Sequence, residues 1–131
     1  MQMRLKKETT TNLKGEVLKV VEYDYDERGN CIRYKDSNGF EEWNEYNKRG
    51  DLIHYKNSNV YESWNEFDEK GNCIHHKNSE GYEFWKEYNE RGNLIHYKDS
   101  NGNEVWNEYD ENNNLTYSRN SNGKSTRYEY E

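Results

Sequence analysis

The sequence predicts an all-β fold, an antiparallel up-and-down β-meander of about 10 to 12 short strands that forms an elongated, coiled repeat sheet. Its period is 21 residues, because four tryptophans follow one another at that spacing: Trp43, Trp64, Trp85 and Trp106. Two turn signals fall in each period, which leaves roughly five to seven residues for a strand. Apolar residues between the turns do not recur at the helical spacing of about 3.6 residues, so no helix is expected.

The first 22 residues are expected to form a capping hairpin that differs from the repeats. Residues 3–11 and 17–25 have strand-like composition, and residues 12–15 end in a glycine, which predicts a turn between two strands. This segment lacks the tryptophan of the later periods, as a terminal capping repeat does. Residues 23–131 then hold about five repeats in one continuous domain.

Two kinds of turn, each with Asp or Asn at its start and Gly three residues later, divide the repeats. The first kind suits a type I turn with a left-handed glycine that closes a hairpin through a bulge. These turns are residues 26–30, 47–51, 68–72 and 89–93. The second kind occurs at residues 36–39, 78–81, 99–102 and 120–123. Val60 replaces the second glycine in one repeat, so that turn is expected to be built differently or strained, because a β-branched residue resists positive φ.

The faces of the sheet follow from an expected register in which Tyr46 lies opposite Leu52 and Trp43 lies opposite Tyr55. The residues of one face are then Glu41, Trp43, Glu45, Ile53 and Tyr55. The residues of the other are Asn44, Tyr46, Leu52 and His54. Both faces are part aromatic and part polar, so cross-strand aromatic pairs rather than a dry core are expected to stabilise the sheet.

The unit formed by residues 25–31, Tyr-Asp-Glu-Arg-Gly-Asn-Cys, resembles the YD repeat of RHS and teneurin-type proteins. Related pairs recur at Tyr46-Asn47, Phe67-Asp68, Tyr88-Asn89 and Tyr109-Asp110. The resemblance covers roughly residues 23–131 and implies a β-hairpin repeat in a short stand-alone bacterial or phage form. Large RHS proteins build a closed shell around a toxin from many more repeats, so the shell function is not expected here.

Composition excludes a large aliphatic core, since 30% of the residues are apolar and the mean hydropathy is −1.61. Aromatic residues make up 15% of the chain and supply enough burial to favour a folded chain over a disordered one. The net charge is −7, of which residues 1–21 contribute +3 and residues 22–131 contribute −10. An acidic array favours basic protein partners and disfavours direct nucleic-acid binding, which depends on cationic side chains.

No cofactor, metal site or catalytic centre is expected. His54, His75 and His96 share one position of the repeat and would lie about 10 Å apart, too far to bind one ion. Glutamates also recur in every repeat, whereas an enzyme site breaks such symmetry, and no phosphate loop or nucleophile motif is present. Cys31 and Cys73 fill a position that leucine fills elsewhere, and their separation argues against a disulfide.

Each of the four tryptophans has a glutamate two residues away on both sides, and this motif is the candidate contact surface. It predicts a non-enzymatic, acidic protein-binding module that occludes a basic surface of a partner. By analogy, such a module could be a phage-type inhibitor of a nucleic-acid-binding defence enzyme, as anti-CRISPR proteins are. The predicted partner-binding residues are Glu41, Trp43, Glu45, Glu62, Trp64, Glu66, Glu83, Trp85, Glu87, Glu104, Trp106 and Glu108.

Two other function classes stay open. Regularly spaced aromatic residues can stack on sugars, so a glycan-binding or cell-wall-binding repeat protein is the alternative. Exposed terminal strands could also pair copies of the chain into a homo-oligomer, as in a self-associating structural repeat. Neither a signal peptide nor a transmembrane stretch is visible, so a cytoplasmic location, that of the host cell if the protein is phage-encoded, and no membrane partner are expected.

Overall fold

The computed structural model describes residues 3–131, which contain twelve β-strands and no helix. The strands are β1 (Lys7–Thr11), β2 (Val17–Tyr25), β3 (Cys31–Asp36), β4 (Glu41–Tyr46), β5 (Leu52–Asn57), β6 (Glu62–Phe67), β7 (Cys73–Asn78), β8 (Glu83–Tyr88), β9 (Leu94–Asp99), β10 (Glu104–Tyr109), β11 (Leu115–Asn120) and β12 (Ser125–Arg127). Their order in the sheet is their order in the chain. The predicted all-β antiparallel meander is therefore confirmed.

The recurring element is one strand with its turn, and from β3 onward successive strands begin 10 or 11 residues apart. The tryptophans lie on every second strand, which accounts for their wider spacing. The chain forms two compact units, one up to Trp64 and the other from Asn65. Within residues 3–131 there is no apolar helix long enough to span a membrane.

The turn after β4 shows why Asp or Asn and Gly recur at fixed positions. The side-chain oxygen of Asn47 accepts the backbone N–H groups of Arg49 and Asp51, both at 3.0 Å. The N–H of Gly50 donates to the carbonyl of Asn47 at 3.0 Å, with Gly50 at a φ of 95°. A side-chain acceptor therefore organises the loop, and a residue without a Cβ supplies the left-handed conformation.

The expected register within the hairpin β4–β5 is half correct. Tyr46 pairs with Leu52, as predicted. Trp43, however, pairs with Lys56 and not with Tyr55, so the predicted assignment of side chains to faces is wrong for the part of β5 that follows Ile53.

A β-bulge causes the difference. Glu45 pairs with His54 and Tyr46 pairs with Leu52, so β5 contains one extra residue, Ile53, between these two pairs. An extra residue shifts every later side chain of the strand to the other face. The turn signals indicated a bulge at the loop glycine, but nothing in them indicated a second one inside the strand.

The corrected alternation gives two faces of different character. The tryptophan face carries the tryptophans, the glutamates two residues from each of them, and the histidines of the shared repeat position. The aromatic face carries Tyr34, Tyr55, His76, Phe84 and Tyr97. His54 thus lies beside tryptophan and Tyr55 does not, which reverses the predicted placement of both residues.

Burial is shallow on both faces. Val21, 4% exposed, is the single buried hydrophobic residue among residues 3–131. On the aromatic face the rings contact one another across strands, with centroids 5.6 Å apart for Tyr23 and Tyr34 and 5.1 Å apart for His76 and Phe84. Ring pairs rather than an aliphatic core therefore hold neighbouring strands together.

Candidate functional site

The tryptophan face is built from repeated stacks of histidine on tryptophan. Each pair occupies directly opposite positions on neighbouring strands, so the two rings are forced side by side. Ring centroids and interplanar angles are 5.5 Å and 12° for His54 and Trp64, 5.4 Å and 11° for His75 and Trp85, and 5.5 Å and 16° for His96 and Trp106. The face therefore repeats one local geometry in three hairpins.

Each of these histidines also lies between two carboxylates. For His75, Nε2 is 2.7 Å from Glu83 Oε1 and Nδ1 is 3.4 Å from Glu66 Oε1. The hydrogen bond with Glu83 raises the pKa of His75 above its ordinary value, against the opposing effect of burial, with a further contribution from Glu66. The equivalent groups are His54 with Glu62 and Glu45, and His96 with Glu104 and Glu87.

The glutamates of the tryptophan face fall into two rows with different exposure. Those that accept the short bond from histidine Nε2 have side chains 34%, 29% and 29% exposed: Glu62, Glu83 and Glu104. Those near histidine Nδ1 have side chains 68%, 68% and 67% exposed: Glu45, Glu66 and Glu87. The second row, the exposed glutamate row, is available to a partner, whereas the first is used within the fold.

The first and the last repeat of the tryptophan face depart from this pattern. In the first repeat Arg33 takes the histidine position opposite Trp43, and its Nη2 lies 3.2 Å from Glu41 Oε2. Glu41 is thus occupied internally, like the more buried row. In the last repeat Glu108 is exposed and lies opposite Tyr117, which replaces histidine.

Cross-strand neighbours cover one or both faces of each indole ring. Trp106 stacks on His96 on one side, and the guanidinium carbon of Arg119 lies 4.3 Å from its ring centroid on the other. Lys56 Nζ similarly lies 5.6 Å from the ring centroid of Trp43. Trp43, Trp64 and Trp85 remain 37%, 40% and 40% exposed.

An open groove with a volume of about 620 Å³ lies beside Trp85 in the unit that begins at Asn65. Its apolar surface comes from the indole of Trp85 and from two isoleucines, Ile74 and Ile95. Carboxylates of the exposed glutamate row, Glu66 and Glu87, border it. No cluster of three or more potential metal ligands occurs in the part of the chain that the structure describes.

All twelve residues predicted to bind a partner lie on the tryptophan face, but they are not equivalent. Sequence reasoning missed the histidines, whose Nε2 atoms bind three of the eight glutamates, Glu62, Glu83 and Glu104. The available signal was the constant spacing of ten residues between each histidine and the following tryptophan. With the bulge counted, that spacing places the two rings on one face.

Two further repeated residues have structural roles that sequence reasoning did not assign. Ser100 Oγ accepts the backbone N–H of Glu83 at 3.0 Å, and the Ser100 N–H donates to the Glu83 carbonyl at 2.8 Å. The hydroxyl of Tyr109 donates to the carbonyl of Leu94 at 2.9 Å. The recurring serine and tyrosine therefore serve the backbone rather than a binding site.

No protein-family model matches the chain, and no curated protein matches it either. Solved structures do match. A crystal structure of TcdB2-TccC3-TEV has a TM-score of 0.66 at 17% identity, over 89% of this chain and 7% of that one. A structure of the Photorhabdus luminescens Tc holotoxin pore has a TM-score of 0.62 at 18% identity, over 78% of this chain and 5% of that one.

These neighbours are Tc toxin chains, and their likeness supports an RHS-type repeat fold. At such low identity it describes the fold and not the activity. The chain also spans less than a tenth of the length of these neighbours.

Proposed function

We propose that this chain is a non-enzymatic protein-binding module whose tryptophan face contacts a basic surface of a partner protein. The observation that carries this proposal is the exposed glutamate row, in which Glu45, Glu66 and Glu87 each keep about two thirds of their side chain in solvent. Within the unit that begins at Asn65, Glu66 and Glu87 lie on alternate strands, β6 and β8, which corresponds to a spacing of about 10 Å. A regular row of carboxylates complements lysine and arginine side chains on a partner.

The partly exposed tryptophans supply the apolar part of such a contact. Aromatic residues bury a large area at interfaces and are enriched at the positions that contribute most to binding. The proposed surface thus combines indole edges with carboxylates, and the negative charge of residues 22–131 would accelerate encounter with a basic partner.

The finer form of the proposal names the partner as a nucleic-acid-binding enzyme. An acidic surface competes with phosphate groups for the same cationic groove, so occupancy by this chain would exclude the nucleic acid. A short stand-alone bacterial or phage protein of the YD-repeat type could in this way inhibit a defence enzyme in the cytoplasm of the host cell. The repetition of the glutamates on both sides of each tryptophan supports binding over catalysis.

A pair of variants with matched charge tests the proposal by pull-down from host lysate. The face variant changes Glu45, Glu66, Glu87 and Glu108 to Gln. The control variant changes four exposed turn residues, Glu27, Glu80, Glu90 and Glu111, to Gln. We expect wild type and control to retain basic proteins at about 0.15 M salt and to release them at about 0.5 M, and the face variant to retain none.

Equal retention by the face and control variants would contradict the proposal, provided that circular dichroism shows both to be folded. Competition with nucleic acid tests the finer form: a captured enzyme should lose its nucleic-acid binding when wild type is added, and should keep it with the face variant. If the captured proteins keep their nucleic-acid binding when wild type is added, the inhibitor proposal would be overturned. The proposal of a protein-binding module would stand.

Carbohydrate stacking is less well supported than protein contact, because a sugar ring needs a free aromatic face. The two faces of Trp106 are covered by His96 and Arg119. Tryptophan fluorescence that changed with a glycan and not with a basic protein would favour the carbohydrate alternative. Association of copies through the terminal strands β1 and β12 stays a separate prediction, which a strictly monomeric light-scattering mass would contradict.

A further inference from the structure

We infer that the groove beside Trp85 binds one arginine side chain of the partner protein. This inference rests on the proposed function and deepens it, since it names the group of the partner that is recognised and the place where it binds.

The apolar part of the groove suits the stem of an arginine. Ile95 is the extra residue of the bulge in β9, between Leu94, which pairs with Tyr88, and His96, which pairs with Glu87. A bulge interrupts the regular alternation of side chains between the two faces of a sheet, so the extra residue can point where a regular strand residue would not. Together with Ile74 and the indole of Trp85, Ile95 offers an apolar surface in a groove of about 620 Å³. The methylene stem of an arginine packs against such surfaces while its charged end stays hydrated.

The carboxylates that border the groove suit the guanidinium. Glu66 lies on β6 and Glu87 on β8, two strand spacings or about 10 Å apart. Their side chains are 68% and 67% exposed, so they can turn toward a bound cation. A guanidinium is planar and has donors on both sides, so one group can bridge two carboxylates, whereas an ammonium acts as a point charge.

The chain itself places one guanidinium on a carboxylate of this face and another on an indole ring. Arg33 pairs across strands with Trp43, and its Nη2 lies 3.2 Å from Glu41 Oε2. Arg119 lies with its guanidinium carbon 4.3 Å from the ring centroid of Trp106. The tryptophan face thus already accommodates arginine in two repeats. At Trp85 the two equivalent cross-strand positions hold His75 and Lys98, so the groove beside them has an indole and carboxylates but no arginine of the chain itself.

The other charged groups at the groove are engaged elsewhere. The carboxylate of Asp68 accepts the backbone N–H groups of Lys70 and Asn72, both at 2.9 Å. Lys86 Nζ lies 4.8 Å from the ring centroid of Phe84, on the aromatic face. Glu66 and Glu87 lie farther from their histidines, at 3.4 and 3.6 Å, and are mostly exposed, so they are the carboxylates that an incoming cation can reach. Glu83, by contrast, accepts the short bond from His75.

The test uses the full chain and short capped peptides that contain one arginine, one lysine or one citrulline in an otherwise identical extended sequence. Citrulline has nearly the shape of arginine without its charge. Binding is followed by NMR shifts of the Trp85 indole N–H and of the methyl groups of Ile74 and Ile95. We expect saturable shifts with the arginine peptide at millimolar concentration and binding at least about tenfold weaker with citrulline, since charge-assisted hydrogen bonds are lost.

Charge-matched variants locate the site. Glu66→Gln with Glu87→Gln should weaken arginine binding by about tenfold, while Glu80→Gln with Glu90→Gln should change it by less than about twofold. Equal weakening in both variants would show unspecific attraction and overturn the inference. Lysine bound as tightly as arginine, or no shift up to about 10 mM peptide, would overturn it too.

The peptide result and the pull-down result are separable. Wild type could retain a partner protein that the face variant loses, while the groove binds no arginine. That result would overturn the arginine site and leave the protein-binding function. If the groove binds arginine but the pull-down retains no protein, the proposed function would be overturned and the groove would stand as a guanidinium site.

Discussion

The imidazole of His75 lies against the indole of Trp85 with ring centroids 5.4 Å apart and ring planes 11° apart. The two residues are opposite each other on β7 and β8. Glu83 receives a hydrogen bond from the same imidazole, so the histidine ties an aromatic ring and a carboxylate into one group. This group, repeated along the face, explains why half of the repeated glutamates serve the fold and the other half remain exposed.

The first prediction concerns the pKa of His75. Glu83→Gln should lower it, because the hydrogen bond with that carboxylate is the largest cause of its raised value. Glu66→Gln should lower it less, since the distance from His75 is 3.4 Å rather than 2.7 Å. Titration of the imidazole by NMR measures both shifts, and equal shifts in the two variants would contradict the assignment.

The same ion pair predicts how stability depends on pH. A histidine whose pKa is raised in the folded state contributes stability in full below its ordinary pKa and loses that contribution as the pH rises through the folded value. The difference in free energy of unfolding between wild type and Glu83→Gln should therefore be greater near pH 6 than near pH 9. Urea unfolding at the two pH values measures it, and a difference independent of pH would show that the charge of His75 is not involved.

Val60 provides a third prediction, on the free energy of unfolding. Its φ is 70°, and its N–H donates to the carbonyl of Asn57 at 3.3 Å, so the turn keeps the form that glycine allows elsewhere and is strained. Val60→Gly should raise the free energy of unfolding by about 1 kcal/mol, because the strain is released. Thermal or urea unfolding measures the change.

The matched control for Val60 is the reverse substitution at the equivalent turn. Gly81 has a φ of +89°, and a Cβ added there would meet nothing within 4 Å. Gly81→Val should therefore cost about 1 to 2 kcal/mol through backbone strain alone. If neither substitution changed the free energy of unfolding, the positive φ at this turn position would not impose the strain assigned to it.

The repeated tyrosine gives a fourth prediction. The hydroxyl of Tyr109 lies 2.9 Å from the carbonyl of Leu94, whereas that of Tyr88 lies 3.4 Å from the carbonyl of Cys73. Tyr109→Phe should lower the free energy of unfolding by about 1 kcal/mol, and Tyr88→Phe by less, since the longer bond is weaker. The reverse order in urea unfolding would contradict the assigned role of the hydroxyl.

Much of the fold could be predicted because local chemistry determines it. The turn residues Asn47 and Gly50 act through their own side-chain oxygen and φ, so their pattern predicts the hairpin directly. The predicted assignment of residues to faces was wrong because nothing in the sequence distinguishes Ile53 from the other residues of its strand. Only the cross-strand pairing shows that it is the extra residue of a bulge, and pairing is not encoded by any single strand.

The sequence located the candidate site but did not distinguish the roles of its glutamates. The motif of tryptophan and glutamate is visible at every repeat, yet Glu83 and Glu87 look alike in the sequence. They differ because Glu83 lies 2.7 Å from the Nε2 of one histidine, while Glu87 lies 3.6 Å from the Nδ1 of the next. Such distances depend on register and rotamer, which lie beyond what residue type and spacing can predict.

The central claim, that the tryptophan face is the contact surface, is tested most directly by photo-crosslinking in host lysate. A photoreactive phenylalanine analogue replaces Trp85 in one variant and Phe84, its neighbour on the aromatic face, in another. Both replacements exchange one aromatic side chain for another, so they differ mainly in the face that they probe. We predict a crosslinked basic protein from position 85 and none from position 84; crosslinks from position 84 alone, or equally from both, would contradict the account.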